Sequence, residues 1–450
     1  MEHYRVAAVF YISYNVFSVS YQKEEDIRMS FRERLQDTME QAVRDCETAG
    51  VSFLAEQDGE ELCYCQAGMA DIEEKRPMSR DTIFRLYSQS KPITAAAAMI
   101  LMERGEMDLC QPVSDFLPSF AEQVYCMEEG GIGEEAAGGA QKKGKAGMET
   151  DDVRQCAAEC RAVLQPMRVF DLLRMTSGLV YPDDVTESGR QTAAVFEEMD
   201  RRLYTENAVT TREAADALGR CTLAFAPGTS WRYGTSADVL GAVIEVVSGM
   251  KFGEFLEKEL FQPLGMIDTA FWVPQEKQNR LAAVYETIRG EKGNSLLRYD
   301  GNNLAIRNGM DRPPAFESGG AGLASTLDDY MRYARMLIQG GTLNGVRILK
   351  PATVRYMTGG DLMEGQQKAF EQWIGLEGFS YGNLMRVCKN PGRAGFAASE
   401  GEYGWDGWLG VYFANYPKEK LTILMGTQKK DGGTFTLTRK LRNILLSEVL

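Results

Sequence analysis

Between Ile93 and Leu101 the chain runs through four consecutive alanines among Ile, Thr, Met and Leu, without one charged side chain. A helix that is apolar on every side cannot rest on a surface; other elements have to enclose it. Gly105 supplies its C-terminal stop, and the short apolar stretch Ile83–Tyr87 ahead of it reads as a strand or loop.

At the entrance to that helix stands Ser88-Gln89-Ser90-Lys91. On a helix, residues three apart share one face, so the serine hydroxyl and the lysine amine come within reach of each other. A serine is a weak nucleophile until a neighbouring base takes its proton. The only histidine is His3, in the N-terminal segment, so a serine enzyme built on this chain needs lysine or tyrosine as its base. Free N–H groups at a helix start suit a developing oxyanion, and its positive end disfavours a charged lysine. The bare S-x-x-K pattern also occurs at Ser20–Lys23 and Ser248–Lys251. The last closes an apolar helical run before Gly249, and an N-cap serine with a surface lysine is the ordinary structural reading of such a pair. Only Ser88 opens a buried helix.

Further segments follow in order. Leu109-Cys110-Gln111-Pro112-Val113-Ser114-Asp115-Phe116-Leu117-Pro118 comes directly after the helix. Then come Val169 to Leu179, with Leu172-Leu173-Arg174-Met175-Thr176-Ser177-Gly178-Leu179, and Phe225 to Ser236, with Pro227-Gly228-Thr229-Ser230-Trp231-Arg232-Tyr233. Pro263-Leu264-Gly265-Met266 and Ser318-Gly319-Gly320-Ala321-Gly322-Leu323 complete the set. Together with Phe84–Leu109 they resemble the class C β-lactamase and penicillin-binding-protein-like serine hydrolases, from about residue 30 to the C-terminus. Met175 stands where many relatives carry histidine. The resemblance implies that Ser88 is acylated, that Lys91 is a base or proton relay, and that Tyr233 passes the proton to the leaving group. It does not decide whether Lys91 or Tyr233 is the acylation base.

Two departures bear on the substrate. The family's Y-x-N reads Tyr233-Gly234-Thr235, placing a hydroxyl and a methyl where an amide contacts the substrate. Its K-T-G is Trp405-Asp406-Gly407, similar to the W-G-G of the esterase members. By that resemblance Trp405 cannot bind a β-lactam carboxylate, Gly407 keeps the strand edge clear for substrate, and the Trp408 N–H joins that of Ser88 in an oxyanion hole. Thr235, Trp405, Gly407 and Trp408 are therefore the expected substrate-binding residues. The ranking that follows is carboxylesterase, then D-amino-acid or peptide amidase, then β-lactamase. An acyltransferase with an alcohol acceptor and an inactive binding protein are the readings from other classes.

The net charge of −14 and pI near 4.9 argue against nucleic acid and anionic membrane surfaces as partners; a small-molecule ester or amide is the expected substrate. Nine cysteines, an odd number without a regular framework, fit a reducing compartment, and a cytoplasmic location is expected. Cys63-x-Cys65 would share one side of a strand and Cys156-x-x-x-Cys160 one side of a helix, but nothing else points to a metal, and no cofactor is expected.

The first helix follows from Phe31, Leu35, Met39 and Val43, and a hairpin from Val51–Ala55 and Leu62–Ala67 around Asp58-Gly59. Strands Val411–Ala414 and Leu421–Met425 and a helix through Leu437, Leu441, Ile444 and Leu445 close the chain. The expected fold is α/β plus helical, of the β-lactamase/transpeptidase-like type: an antiparallel sheet flanked by terminal helices, with a mostly helical insertion. Residues 1–28 read as an extension outside the fold and 29–450 as the hydrolase domain. Its α/β part is about 29–110 and 300–450, its helical part about 111–299, with a mobile loop at 128–150.

Overall fold

The computed structural model describes residues 29–126, 160–291, 293–373 and 375–450. The expected extension 1–28 and loop 128–150 lie outside the described residues.

An eight-stranded antiparallel sheet forms the centre. Its spatial order is Phe379–Tyr381, Arg386–Cys388, Tyr403–Asp406, Tyr412–Tyr416, Leu421–Thr427, Gly50–Gln57, Glu60–Asp71 and Arg76–Pro77. The middle of the sheet thus joins the two ends of the fold, with Val51 opposite Thr427 and Gln57 opposite Leu421. Asp58 (φ +53°) and Gly59 (φ +86°) make the expected tight turn between the first two strands.

Alternation along the strands sorts the side chains into two cores. Val51, Phe53, Ala55, Cys63 and Cys65 face helices Phe31–Arg44 and Thr436–Val449, meeting Leu35, Met39, Leu437, Leu441 and Leu445. Ser30 caps the first of these helices in a reciprocal capping box with Glu33. Leu54, Phe413 and Leu424 point the other way, onto the larger core around helix Lys91–Arg104. Every residue from Lys91 to Leu101 is buried, as an all-round apolar helix requires, and Gly105 (φ +73°) ends it.

The interior segment departs from the expected helices in two places. Val284–Gly290 and Gly293–Tyr299 form a two-stranded hairpin. Cys160 begins a strand, not a helix: Cys160–Ala162 pairs with Val124–Cys126, and a disulfide joins Cys126 to Cys160. The four-residue spacing from Cys156 suggested one helix face, but the ladder to Val124–Cys126 brings a different cysteine opposite. A disulfide weakens the cysteine argument for a reducing compartment, since such bridges are uncommon there. No described helix is long and apolar enough to cross a membrane.

Candidate active site

Ser88 lies in a 3-10 turn, Tyr87–Ser90, that runs directly into helix Lys91–Arg104. Pro92, with no N–H to satisfy, suits the helix start that follows. Tyr87 holds φ at +44°, an uncommon conformation for a bulky residue and one that concentrates at functional turns. Neighbours hold the turn in place. The Tyr330 and Tyr333 hydroxyls donate to the carbonyls of Gln89 (2.9 Å) and Pro92 (2.6 Å), and Leu86 N–H donates to Leu323 (2.8 Å).

Lys91 is fully buried, and its amine has three partners: Ser88 Oγ at 3.1 Å, the Tyr181 hydroxyl at 3.0 Å and the Gly320 carbonyl at 2.8 Å. The amine also stands 4.6 Å from the centre of the Tyr233 ring. Burial lowers its pKa to about 7, against the opposing pull of Asp238 and then Asp406. The Tyr233 phenol is pushed well above its ordinary value by burial, which side-chain hydrogen bonding with Ser88 and Trp405 only partly offsets. Trp405 Nε1 donates to the Tyr233 hydroxyl at 2.9 Å. Burial likewise raises Tyr181 far above the usual phenol range.

The structure therefore brings Ser88, Lys91, Tyr233 and Trp405 into one cluster. Trp405 is 2% exposed, with Tyr233, Tyr381 and Trp373 around it, so its indole acts on Tyr233 and offers substrate little apolar face. The half-buried Trp373 instead packs edge-on against Tyr233, with ring centres 4.8 Å apart. Thr235 is wholly buried, its hydroxyl directed at the Val180 carbonyl 3.5 Å away. Gly407 is needed for close approach: a Cβ there would stand 2.2 Å from the Leu86 carbonyl oxygen, so its space belongs to the chain just ahead of Ser88. Trp408 stacks edge-on against Tyr87 (4.9 Å) and donates from its indole to Asp431 (2.7 Å). Among the described residues no acceptor takes the backbone N–H of Ser88 or of Trp408.

Tyr181 is the member of the cluster that motif matching missed. Its only sequence signal is an aromatic two residues beyond Thr176-Ser177-Gly178-Leu179. A cavity of about 880 Å³ opens elsewhere, at the far end of the same helix beside Met102, Met107 and Tyr356, and contains none of these groups.

The central antiparallel sheet and the buried helix form a β-lactamase/transpeptidase-like fold, and the protein is a serine hydrolase of that class. The beta-lactamase family model matches residues 35–446, and the chain belongs to that family. Among curated relatives, Protein Rv1367c of Mycobacterium tuberculosis is 30% identical over 351 residues, 77% of each chain. Esterase EstB of Burkholderia gladioli is 28% identical over 428 residues, covering 92% of this chain and 95% of its own. Among solved structures, EstCE1, described as a hydrolase with promiscuous acyltransferase activity, superposes with a TM-score of 0.69 at 23% identity. That match covers 92% of this chain and 98% of the other.

Proposed function

We propose that this protein hydrolyses small carboxylic esters through an acyl-enzyme on Ser88, with Lys91 as the base and Tyr233 as the acid that protonates the leaving alcohol. One observation carries the assignment: a fully buried amine with a pKa lowered to about 7 lies 3.1 Å from the serine oxygen. A carbonyl only accepts, so a neutral Lys91 directs one N–H to Gly320 and a second to Tyr181. Its lone pair is left facing the Ser88 hydroxyl. As Ser88 attacks the ester carbonyl, Lys91 takes the serine proton. The oxyanion forms between the N–H groups of Ser88 and Trp408.

Tyr233 accepts from the Trp405 indole, which leaves its own proton free for the departing oxygen. Its raised pKa keeps it protonated at neutral pH, the state an acid needs. Tyr233, left as phenolate, recovers its proton from Lys91, and the neutral amine then activates the water that releases the acid. The name of Esterase EstB, which this chain matches over 92% of its length, supports ester over amide as the substrate.

The test is intact-mass analysis after treatment with a fluorophosphonate. Wild type should gain one adduct, mapped to Ser88, and Ser88→Ala should gain none while losing p-nitrophenyl acetate turnover by several orders of magnitude. Labelling of the Ala variant at another residue would overturn the assignment. Product analysis with added alcohols then separates hydrolysis from acyl transfer.

A further inference from the structure

The segment Ser318–Leu323 performs no step in the reaction above, yet it is bound on both sides. Towards the nucleophile turn, Leu323 N–H donates to Ser90 Oγ (3.2 Å), the Thr94 hydroxyl to the Gly319 carbonyl (2.6 Å), and Lys91 to the Gly320 carbonyl (2.8 Å). On the opposite side stands Asp238, 3% exposed, in the first turn of helix Ser236–Ser248. An aspartate there ordinarily serves its own helix dipole. Here Oδ1 accepts the Gly320 N–H at 3.0 Å and the Ser318 hydroxyl. The glycines fit the space left for them. A Cβ on Gly320 would stand 2.8 Å from Asp238 Oδ2 and 3.1 Å from the Tyr181 hydroxyl, and one on Gly319 would stand 2.3 Å from the Ala237 carbonyl oxygen.

We propose that Asp238 is a positioning residue for Lys91: its buried carboxylate clamps the Ser318–Gly322 loop so that the Gly320 carbonyl holds the amine against Ser88, and its charge steadies the ammonium formed when the serine proton is taken. The groups facing Lys91 are Ser88, Tyr181, Tyr233, Asp238 and Asp406; those facing Asp238 are Ser318, Lys91, Tyr181 and Tyr233. Of the two carboxylates that favour the charged amine, Asp238 is the stronger. Burial raises the Asp238 carboxyl itself, and the Ser318 bond, Lys91 and the Gly320 N–H pull it back.

The inference rests on Lys91 as base, and the pH profile of kcat/KM for p-nitrophenyl acetate tests it. Asp238→Asn keeps an oxygen to accept from Gly320 and Ser318 but removes the charge. The ascending limb should move to lower pH by roughly one unit, as expected on losing a nearby opposite charge, with kcat lower and KM little changed. A rate lowered equally at every pH, with the limb unmoved, would overturn the proposal. Should Asp238→Asn fail to fold, Ser318→Ala decides alone. It keeps the charge and loosens the clamp, so kcat should fall roughly threefold or more with KM and the limb unchanged; an unaltered kcat would overturn the proposal. Activity surviving in Ser88→Ala removes the reaction assignment itself, whereas an inactive Ser88→Ala with an unmoved Asp238→Asn limb removes only the role of Asp238.

Discussion

The indole of Trp405 donates its only hydrogen bond to the hydroxyl of Tyr233, at 2.9 Å. The residue that replaces the K-T-G lysine is thereby an orienting group for the tyrosine. Trp405→Phe keeps the packing against Tyr381 and Trp373 and deletes the bond. We expect kcat to fall about 10-fold, the scale of a hydrogen bond of roughly 1.5 kcal/mol, with stability changed little. Steady-state kinetics with a thermal melt checks this; an unchanged kcat would show that Tyr233 is held by packing alone.

A base with a pKa of about 7 implies an ascending limb. kcat/KM should rise with slope one through about pH 7 and then level, because the neutral amine is the active form. Lys91→Arg, which cannot lose its proton, should be inactive across the range. A flat profile between pH 5 and 9 would exclude Lys91 as the base.

The same shift carries a stability cost whose sign is fixed by linkage. The folded pKa lies below the unfolded value of 10.5, so between about pH 7 and 10.5 the unfolded chain binds a proton that the native protein does not. This group's contribution is present above pH 10.5 and is lost as pH falls towards 7. The stability of Lys91→Met relative to wild type should therefore be greater at pH 7 than at pH 10, by several kcal/mol, while activity is lost. Urea unfolding at the two pH values measures it, and a difference of opposite sign refutes the burial argument.

Gly407→Ala should drive the strand Tyr403–Asp406 off the turn that carries Ser88, since the new methyl meets the Leu86 carbonyl oxygen at 2.2 Å and Val411 at 2.5 Å. We expect roughly 100-fold lower kcat/KM together with a lower Tm. A variant with native kinetics would mean that the strand moves freely without disturbing Ser88.

Short p-nitrophenyl esters should be turned over far faster than nitrocefin. Binding a β-lactam carboxylate through a lysine is a charge-assisted contact of about 1.5–3 kcal/mol, roughly 10- to 100-fold in kcat/KM, and Trp405 cannot make it. Nitrocefin matching the best ester would restore the β-lactamase reading.

The buried helix that follows Ser88 and the paired terminal elements were readable in the chain because local pattern and tertiary role coincide there. Ile93–Leu101 is apolar on all sides and central, and the Asp58-Gly59 turn has the φ values its residues favour. What escaped was set by contacts between distant segments. Tyr181 reaches Lys91 across 90 positions, and the space a Cβ on Gly407 would need is taken by the Leu86 backbone. Trp405 was expected among the substrate-binding residues; it is buried, and Trp373, from a segment without a motif, helps cover it. Cys160 was misplaced because spacing alone could not reveal that its partner is Cys126.

The central pairing of Val51 with Thr427 has a consequence for biosynthesis. Strand Gly50–Gln57 leaves the ribosome early, but its neighbour on one side, Leu421–Thr427, is the last strand translated among the described residues. At about 5–20 residues per second, the apolar edge through Val51, Phe53 and Leu54 stays open for roughly 20–70 s. An unpaired edge of this kind is a template for a neighbouring nascent chain. The yield of soluble protein should therefore depend on whatever shields that edge during synthesis, and slowed translation of the last third of the message should raise the aggregated fraction.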